Sequence, residues 1–276
     1  MPDHECVDWA GTLHERAETS PRIACLVPSI TELLFALDLG AHVVARTGFC
    51  VHPHGEVRRV PKIGGTKDAD LARLAALAPT HLIVNVDENR REVVEAARAF
   101  VPHVVVTHPL RLDDNPRLYR LLGAVFAREH RARTLCAAFE LARHELDHAT
   151  RTLPRERVLY VIWKKPWMTI SRDTYIADVL AAAGWDSVAP EGAVERYPVV
   201  RDEDGAWQRA QRILLSSEPY AFVRRDAQAL ARDKARPVDL IDAEMTSWYG
   251  PRAIEGMAYL ARLRRQSCTD AAPLPG

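Results

Sequence analysis

The chain has 276 residues, with Lys plus Arg and Asp plus Glu each totalling 37, so its formal net charge is zero. That balance removes the general attraction to nucleic acid or anionic lipid that a basic chain would have. No apolar run approaches the ~20 residues that a membrane-spanning helix needs, and a chain this long buries roughly 75% of its unfolded surface, enough to fold without staples.

Residues 1–20 form a polar leader in which Asp3, His4, Glu5 and Asp8 stand where a secretory signal needs basic and then apolar residues, so the sequence predicts a cytoplasmic protein. Residues 23–27 read as a short buried strand, followed by a helix ending at Gly40. Ser29 and Glu32 have the spacing of a capping box at that helix's start. The alternation continues with a strand at 43–45, a helix at 70–77, a strand at 82–86, a helix at 90–100 and a strand at 104–106. Strands that alternate with helices predict a parallel sheet.

From Pro116 to Thr150 the strands vanish. Ala132, Leu135, Cys136, Phe139, Ala142 and Leu146 recur at three- and four-residue steps, the mark of one amphipathic helix over 129–150. A second alternating series follows: strand 158–162, a tryptophan-rich loop, helix 175–183, strand 213–215, helix 225–232, strand 238–241 and helix 251–264. The fold class is therefore α/β, with two Rossmann-like lobes built on parallel sheets and joined by a long backbone helix. The expected boundaries are a leader at 1–20, lobes at 21–114 and 154–266, a connecting helical segment at 115–153 and a frayed tail at 267–276.

In open α/β sheets ligands bind beyond the carboxyl ends of the strands, which directs attention to residues 28–31, 48–54, 64–67 with 87–89, 163–168 and 244–252. The amides that open the first helix, at Ser29, can receive partial negative charge from a ligand. Gly64-Gly65-Thr66-Lys67 lacks the earlier glycine of a phosphate-binding loop and reads instead as a place where backbone can approach a ligand. Cys50 and His52 are spaced to meet one soft or borderline metal, and the same residues are the nucleophile and base an enzyme would use. His103 and His108 are weaker candidates for a metal. Glu88, Asp242 and Glu244 lie at strand ends and suit acid–base work or bonds to ligand amides. The five cysteines are scattered without a Cys-x-x-Cys pair, which argues against a disulfide framework or a zinc ribbon.

Three stretches carry a family likeness: Arg22-Ile-Ala-Cys-Leu-Val-Pro-Ser-Ile-Thr-Glu32, Phe49-Cys-Val-His-Pro53 and Val60-Pro-Lys-Ile-Gly-Gly-Thr-Lys67. Together they resemble the vitamin B12 and iron-siderophore binding proteins, over about residues 22–263 and closest to the cobalamin-binding branch. The resemblance implies a non-enzymatic protein that takes a small metal chelate, foremost a corrinoid such as cobalamin, between its lobes. It also implies that Phe49, Trp163, Trp167, Trp248 and Tyr249 line the ligand site, with Ser29, Gly65, Thr66 and Arg252. A corrinoid is a broad apolar disc fringed with amides, which rigid aromatic side chains suit. Trp185 and Trp207 read as core residues.

Haem or a ferric siderophore is the alternative ligand, with Arg46, Lys67 and Arg252 to meet an anionic chelate. Members of that family that feed a membrane importer carry a glutamate on the helix after the Gly-Gly loop, where this chain has Ala72 beside Arg73. Docking to an importer is doubtful on that ground, and the expectation is a monomeric cytoplasmic carrier or sensor. The importer component is its alternative, and an enzyme acting through Cys50 and His52 the second.

Overall fold

Ile23–Cys25 (β1), an apolar run with all three residues buried, nucleates the first sheet. It lies between Val43–Arg46 (β2) and His81–Asn85 (β3), and His103–Thr107 (β4) completes the order β2-β1-β3-β4, with every neighbouring pair parallel. Helices Pro28–Ala36 (α1), Leu71–Ala76 (α2) and Arg91–Ala97 (α3) are the crossovers. The core under α2 and α3 is built from Ala24, Leu26, Ala45, Ile63, Leu74, Leu82, Val84, Val94 and Val104. Burying such a side chain contributes about 1.5–3 kcal/mol, and their density explains why these short strands hold together.

The computed structural model describes residues 3–17 and 20–269. It divides into two compact units: the first contains the chain to Pro109, Asp113–Phe139 and Tyr249–Pro251, and the second contains Leu110–Leu112, Glu140–Trp248 and the chain from Arg252. Between the two sheets the chain forms Asn115–Val125 (α4) and Glu129–Thr150 (α5), and the division falls inside α5. The second sheet is mixed. Glu156–Trp163 (β5) runs parallel to Arg212–Ser216 (β8), which pairs with Val238–Ile241 (β9). On its other side β5 meets Trp185–Ser187 (β7) in parallel at its start and Met168–Thr169 (β6) in antiparallel at its end. Tyr175–Ala182 (α6), Ala206–Arg209 (α7), Arg224–Lys234 (α8), Glu244–Ser247 (α9) and Pro251–Thr269 (α10) complete the unit.

Several expectations change. The Ser29 capping box does not form: Val27 is the N-cap without a side-chain bond, Pro28 takes the first helical position, and Ser29 is buried inside the turn. Proline at that position needs no amide partner, so the helix starts without the hydroxyl. Helix α1 stops at Ala36, and Gly40 opens a separate 3-10 turn, Gly40–His42. The described part of the leader belongs to the first unit. Asp8 accepts bonds from the amides of Ala10, Thr12 and Val106 and from His14, while the amide of Trp9 donates to Val106, so residues 8–14 cover the open edge of β4. Helix α10 continues through the expected start of the tail at residue 267, and residues 270–276 lie outside the described residues. Strands β6 and β7 and helices α7 and α9, of two to four residues each, carry too little periodicity to be read from sequence. Among the described residues no helix is long and apolar enough to cross a membrane.

Candidate functional site

In the first unit, the loop after β2 and the Gly-Gly loop are stitched together at the carboxyl end of the sheet. The amide of Ile63 donates to the carbonyl of Arg46 at 2.9 Å and the amide of Gly48 to the carbonyl of Gly64 at 2.8 Å. Gly64 has φ +103°, and a Cβ there would meet the carbonyl oxygen of Asp68 at 2.7 Å, so the turn demands glycine. A Cβ on Gly65 would lie 3.5 Å from Cε2 of Phe49, which places that ring against the Gly65 backbone. Phe49 nevertheless remains 62% exposed. The ring is thus held open to solvent on a defined loop.

Arg46 is the organiser beneath this surface. It is buried, and its guanidinium donates to the carbonyls of Val60 (3.2 Å), Thr47 (3.1 Å) and Cys50 (2.9 Å), bonds internal to the loop rather than toward a ligand. Asn89 does comparable work on the other side. Its side chain donates to the carbonyls of Thr66 (2.8 Å) and Leu26 (3.3 Å) and accepts from the amide of Asn85 (2.8 Å), tying three strand-end segments together. Sequence reasoning offered Arg46 as a cation for an anionic chelate and residues 87–89 as a strand-end loop, and in neither case the role in holding the loops.

The geometry argues against Cys50 as metal ligand or nucleophile. Its sulfur is fully buried against the hydroxyls of Thr31 and Thr47, each at 3.2 Å, and burial pushes the thiol's pKa up. A thiolate is the reactive and ligating form, and this environment disfavours it. His52 is buried with its ring 4.3 Å from that of His54. His103 does not join His108 at a metal, because it stacks on His81 at the amino-terminal ends of their strands while His108 approaches Asp87 at the opposite ends. Among the described residues, no group of three or more His, Cys, Asp or Glu side chains is arranged to hold a metal.

In the second unit, Trp163 ends β5 and is 38% exposed, with its ring edge-to-face with Tyr220 at 5.6 Å. Tyr220 was missed by sequence reasoning, although its setting after β8, between Pro219 and Phe222, was a usable signal. Trp167 is placed differently from expectation: it stacks on Phe222, meets the edge of Trp207 and packs against the unit's core. Trp185 and Trp207 are buried as expected. Trp248 is buried too, as is Tyr249 of the first unit; the Trp248 side chain bonds the Glu218 carboxyl, whose pKa is raised first by burial and then by nearby Glu244. Arg252 lies over the Trp248 ring at 5.9 Å and pairs with Glu244 at 3.4 Å. The structure thus gathers Phe49, Gly65 and Thr66 in the first unit, and in the second sets Trp163 with Tyr220 and Trp248 with Arg252. Ser29 is buried in the first turn of α1, and Trp167 is half-buried against the core.

A family model described as periplasmic binding protein matches residues 23–233. The vitamin B12-binding protein of Pectobacterium atrosepticum is 22% identical over 240 residues, covering 84% of each chain. An uncharacterized ABC transporter substrate-binding lipoprotein of Bacillus subtilis is 22% identical over 259 residues, with 87% of this chain and 78% of that one covered. The periplasmic vitamin B12 binding protein of Vibrio cholerae has the same fold, with a TM-score of 0.77 at 18% identity over 90% of this chain and 98% of that one. A periplasmic heme-binding protein from Roseiflexus is equally similar in fold, with a TM-score of 0.77 at 22% identity, covering 90% and 99%.

Proposed function

Because the chain belongs to the periplasmic binding protein family, a family of binding proteins and not of enzymes, we propose that it captures a metal chelate and hands it to an ABC importer. Within that class the ligand is a flat macrocycle, with a corrinoid first and haem second. The observation that carries this reading is the pair of accessible aromatic rings at strand ends, Phe49 over the Gly65 backbone and Trp163 beside Tyr220. Flat apolar faces of this kind match the face of a macrocycle, and backbone amides and hydroxyls around them suit its polar fringe. The vitamin B12-binding relatives favour the corrinoid; the equal fold similarity to a heme-binding protein keeps haem as the second reading.

The expectation of a cytoplasmic carrier gives way to action outside the cytoplasmic membrane, in line with the periplasmic relatives. Ala72 and Arg73 are exposed on α2, so docking to an importer at this helix would rest on contacts other than a glutamate at that position.

Titration with cyanocobalamin, hydroxocobalamin and haemin, followed by calorimetry and visible absorbance, tests the reading. A cobalamin should bind at about micromolar affinity or better, and Phe49→Ala should weaken it at least about tenfold, roughly 1.4 kcal/mol. Binding of haemin alone would move the ligand to the second reading. If none of the three binds, the macrocycle assignment is wrong.

A further inference from the structure

The second unit carries a separate pocket of about 430 Å³ at the start of β5. Arg157, Arg172, Asp186 and Ser187 line it, with Ala177 and Ala181 from one face of α6. Its position follows from the strand register: Arg157 lies opposite Asp186 and Val158 opposite Ser187, where β7 joins the beginning of β5. Trp163 ends the same strand six residues on, about 20 Å away at ~3.3 Å per residue, so this pocket is distinct from the aromatic surface.

The charges in the pocket do not cancel. The carboxylate of Asp186 is held by Arg155, whose Nε lies 3.2 and 3.1 Å from its two oxygens and whose Nη2 lies 2.5 Å from one of them. Arg155 also donates to the carbonyl of Ala181, which softens the negative end of α6. Arg157 uses its Nε on the carbonyl of Arg209 at 2.9 Å, and Arg172 makes no hydrogen bond or ion pair among the described residues. Two guanidinium groups are therefore left unmatched beside an acid that is already paired.

The independent observation is Ser187. The residue is only 7% exposed, and its hydroxyl is a buried polar atom without a hydrogen-bond partner. Folded proteins rarely leave such a group unmet without a reason. A hydroxyl donor and two guanidinium forks over small apolar walls are the donor set for an oxyanion.

We propose that this pocket binds a small oxyanion, a phosphate or carboxylate head on a short apolar body, through Arg157, Arg172 and the hydroxyl of Ser187. The site is independent of the macrocycle surface.

Calorimetric titration of the full chain with inorganic phosphate and, separately, butyrate, at constant ionic strength set by chloride, tests it and distinguishes the two head groups. Saturable binding of at least one anion is expected, with Arg172→Gln weakening it at least about tenfold. Arg172 is exposed and unbonded, so this variant should melt with the wild type in anion-free buffer. Ser187→Ala should melt at or above the wild type without the bound anion and below it at saturation. Cyanocobalamin titrations should be the same for all three proteins if that ligand binds. Absence of saturable binding of both anions, equal affinity in Arg172→Gln, or an anion-independent loss of stability in Ser187→Ala would overturn the assignment.

Discussion

Arg46→Met is the sharpest test of how the first unit builds its surface. The substitution keeps an unbranched apolar stem and removes three charge-assisted donations, to the carbonyls of Val60, Thr47 and Cys50. Hydrogen bonds involving a charged group contribute about 1.5–3 kcal/mol each, and bonds from one guanidinium share its desolvation cost, so the sum is less than three independent bonds. The loop is near solvent, and water can recover part of what the carbonyls lose. The expected cost is about 3–4 kcal/mol, which at ~2–4 °C per kcal/mol for a domain of 150–250 residues lowers Tm by roughly 6–16 °C. Thermal unfolding followed by circular dichroism reads this directly. Arg46→Lys, which keeps the charge but not the fork, should recover only part of the loss. Because the same bonds hold the segment that presents Phe49, macrocycle affinity should fall with the stability. A change in Tm below about 2 °C would refute the reasoning, since it would mean that the buried guanidinium merely fills space.

The remaining predictions concern buried charge. His81 is buried against His103 with His14 nearby, and its pKa is lowered to about 4 from 6.5, first by burial and then by those two imidazoles. The native state thus binds fewer protons than the unfolded chain, so stability is full above about pH 6.5 and is lost as pH falls toward about 4. The wild type should lose up to about 3 kcal/mol across that window at 1.36 kcal/mol per unit, and His81→Leu should show a flatter profile in denaturant titrations at pH 7.5 and 4.5. Equal profiles would mean that other groups set the acid sensitivity. In the second unit, Glu156 receives Arg212 at 3.0 and 3.1 Å and the indole of Trp185 at 3.0 Å, with the fully buried Arg264 at 3.6 Å. Glu156→Gln removes the charge that two buried guanidiniums face and should cost about 3–5 kcal/mol, measured by urea unfolding. A cost below about 1 kcal/mol would show that Asp239 and the carbonyls around Arg264 suffice.

The architecture was legible where periodicity and length were sufficient. The 22 residues of α5 were read from apolar positions recurring at three- and four-residue steps, and β9 was read with its observed bounds although only Ile241 of its four residues is buried. The start of α1 was misread for a physical reason: Ser29 and Glu32 had the right spacing, but Pro28 had already met the need for a cap, and the Ser29 side chain was drawn into the core. Trp167 was misread in a related way, since a loop position flanked by charges suggested exposure while Phe222 and Trp207, distant in sequence, half-bury its ring. Local sequence cannot contain a contact made 40 and 55 positions away.

The strand-end loops carry a more general consequence. Phe49 and the Gly-Gly pair were identified because they lie in the stretches that carry the family likeness, yet the residues that hold them are ordinary ones with unusual surroundings. Arg46 was read from sequence as a cation for an anionic chelate, and its burial and its bonds to Val60, Thr47 and Cys50 show the different work it does. Asn89 is a polar residue in a polar loop until its amide is seen to meet Leu26, Thr66 and Asn85 at once. A surface that presents apolar rings to solvent must be fixed from behind, because free rings would turn toward the core and give up the area they offer a ligand. On the proposed reading, the exposed rings meet the ligand and the buried polar groups hold those rings in place. Relatives that exchange one flat macrocycle for another should differ at positions such as Phe49 and Trp163 while retaining groups that do the work of Arg46 and Asn89.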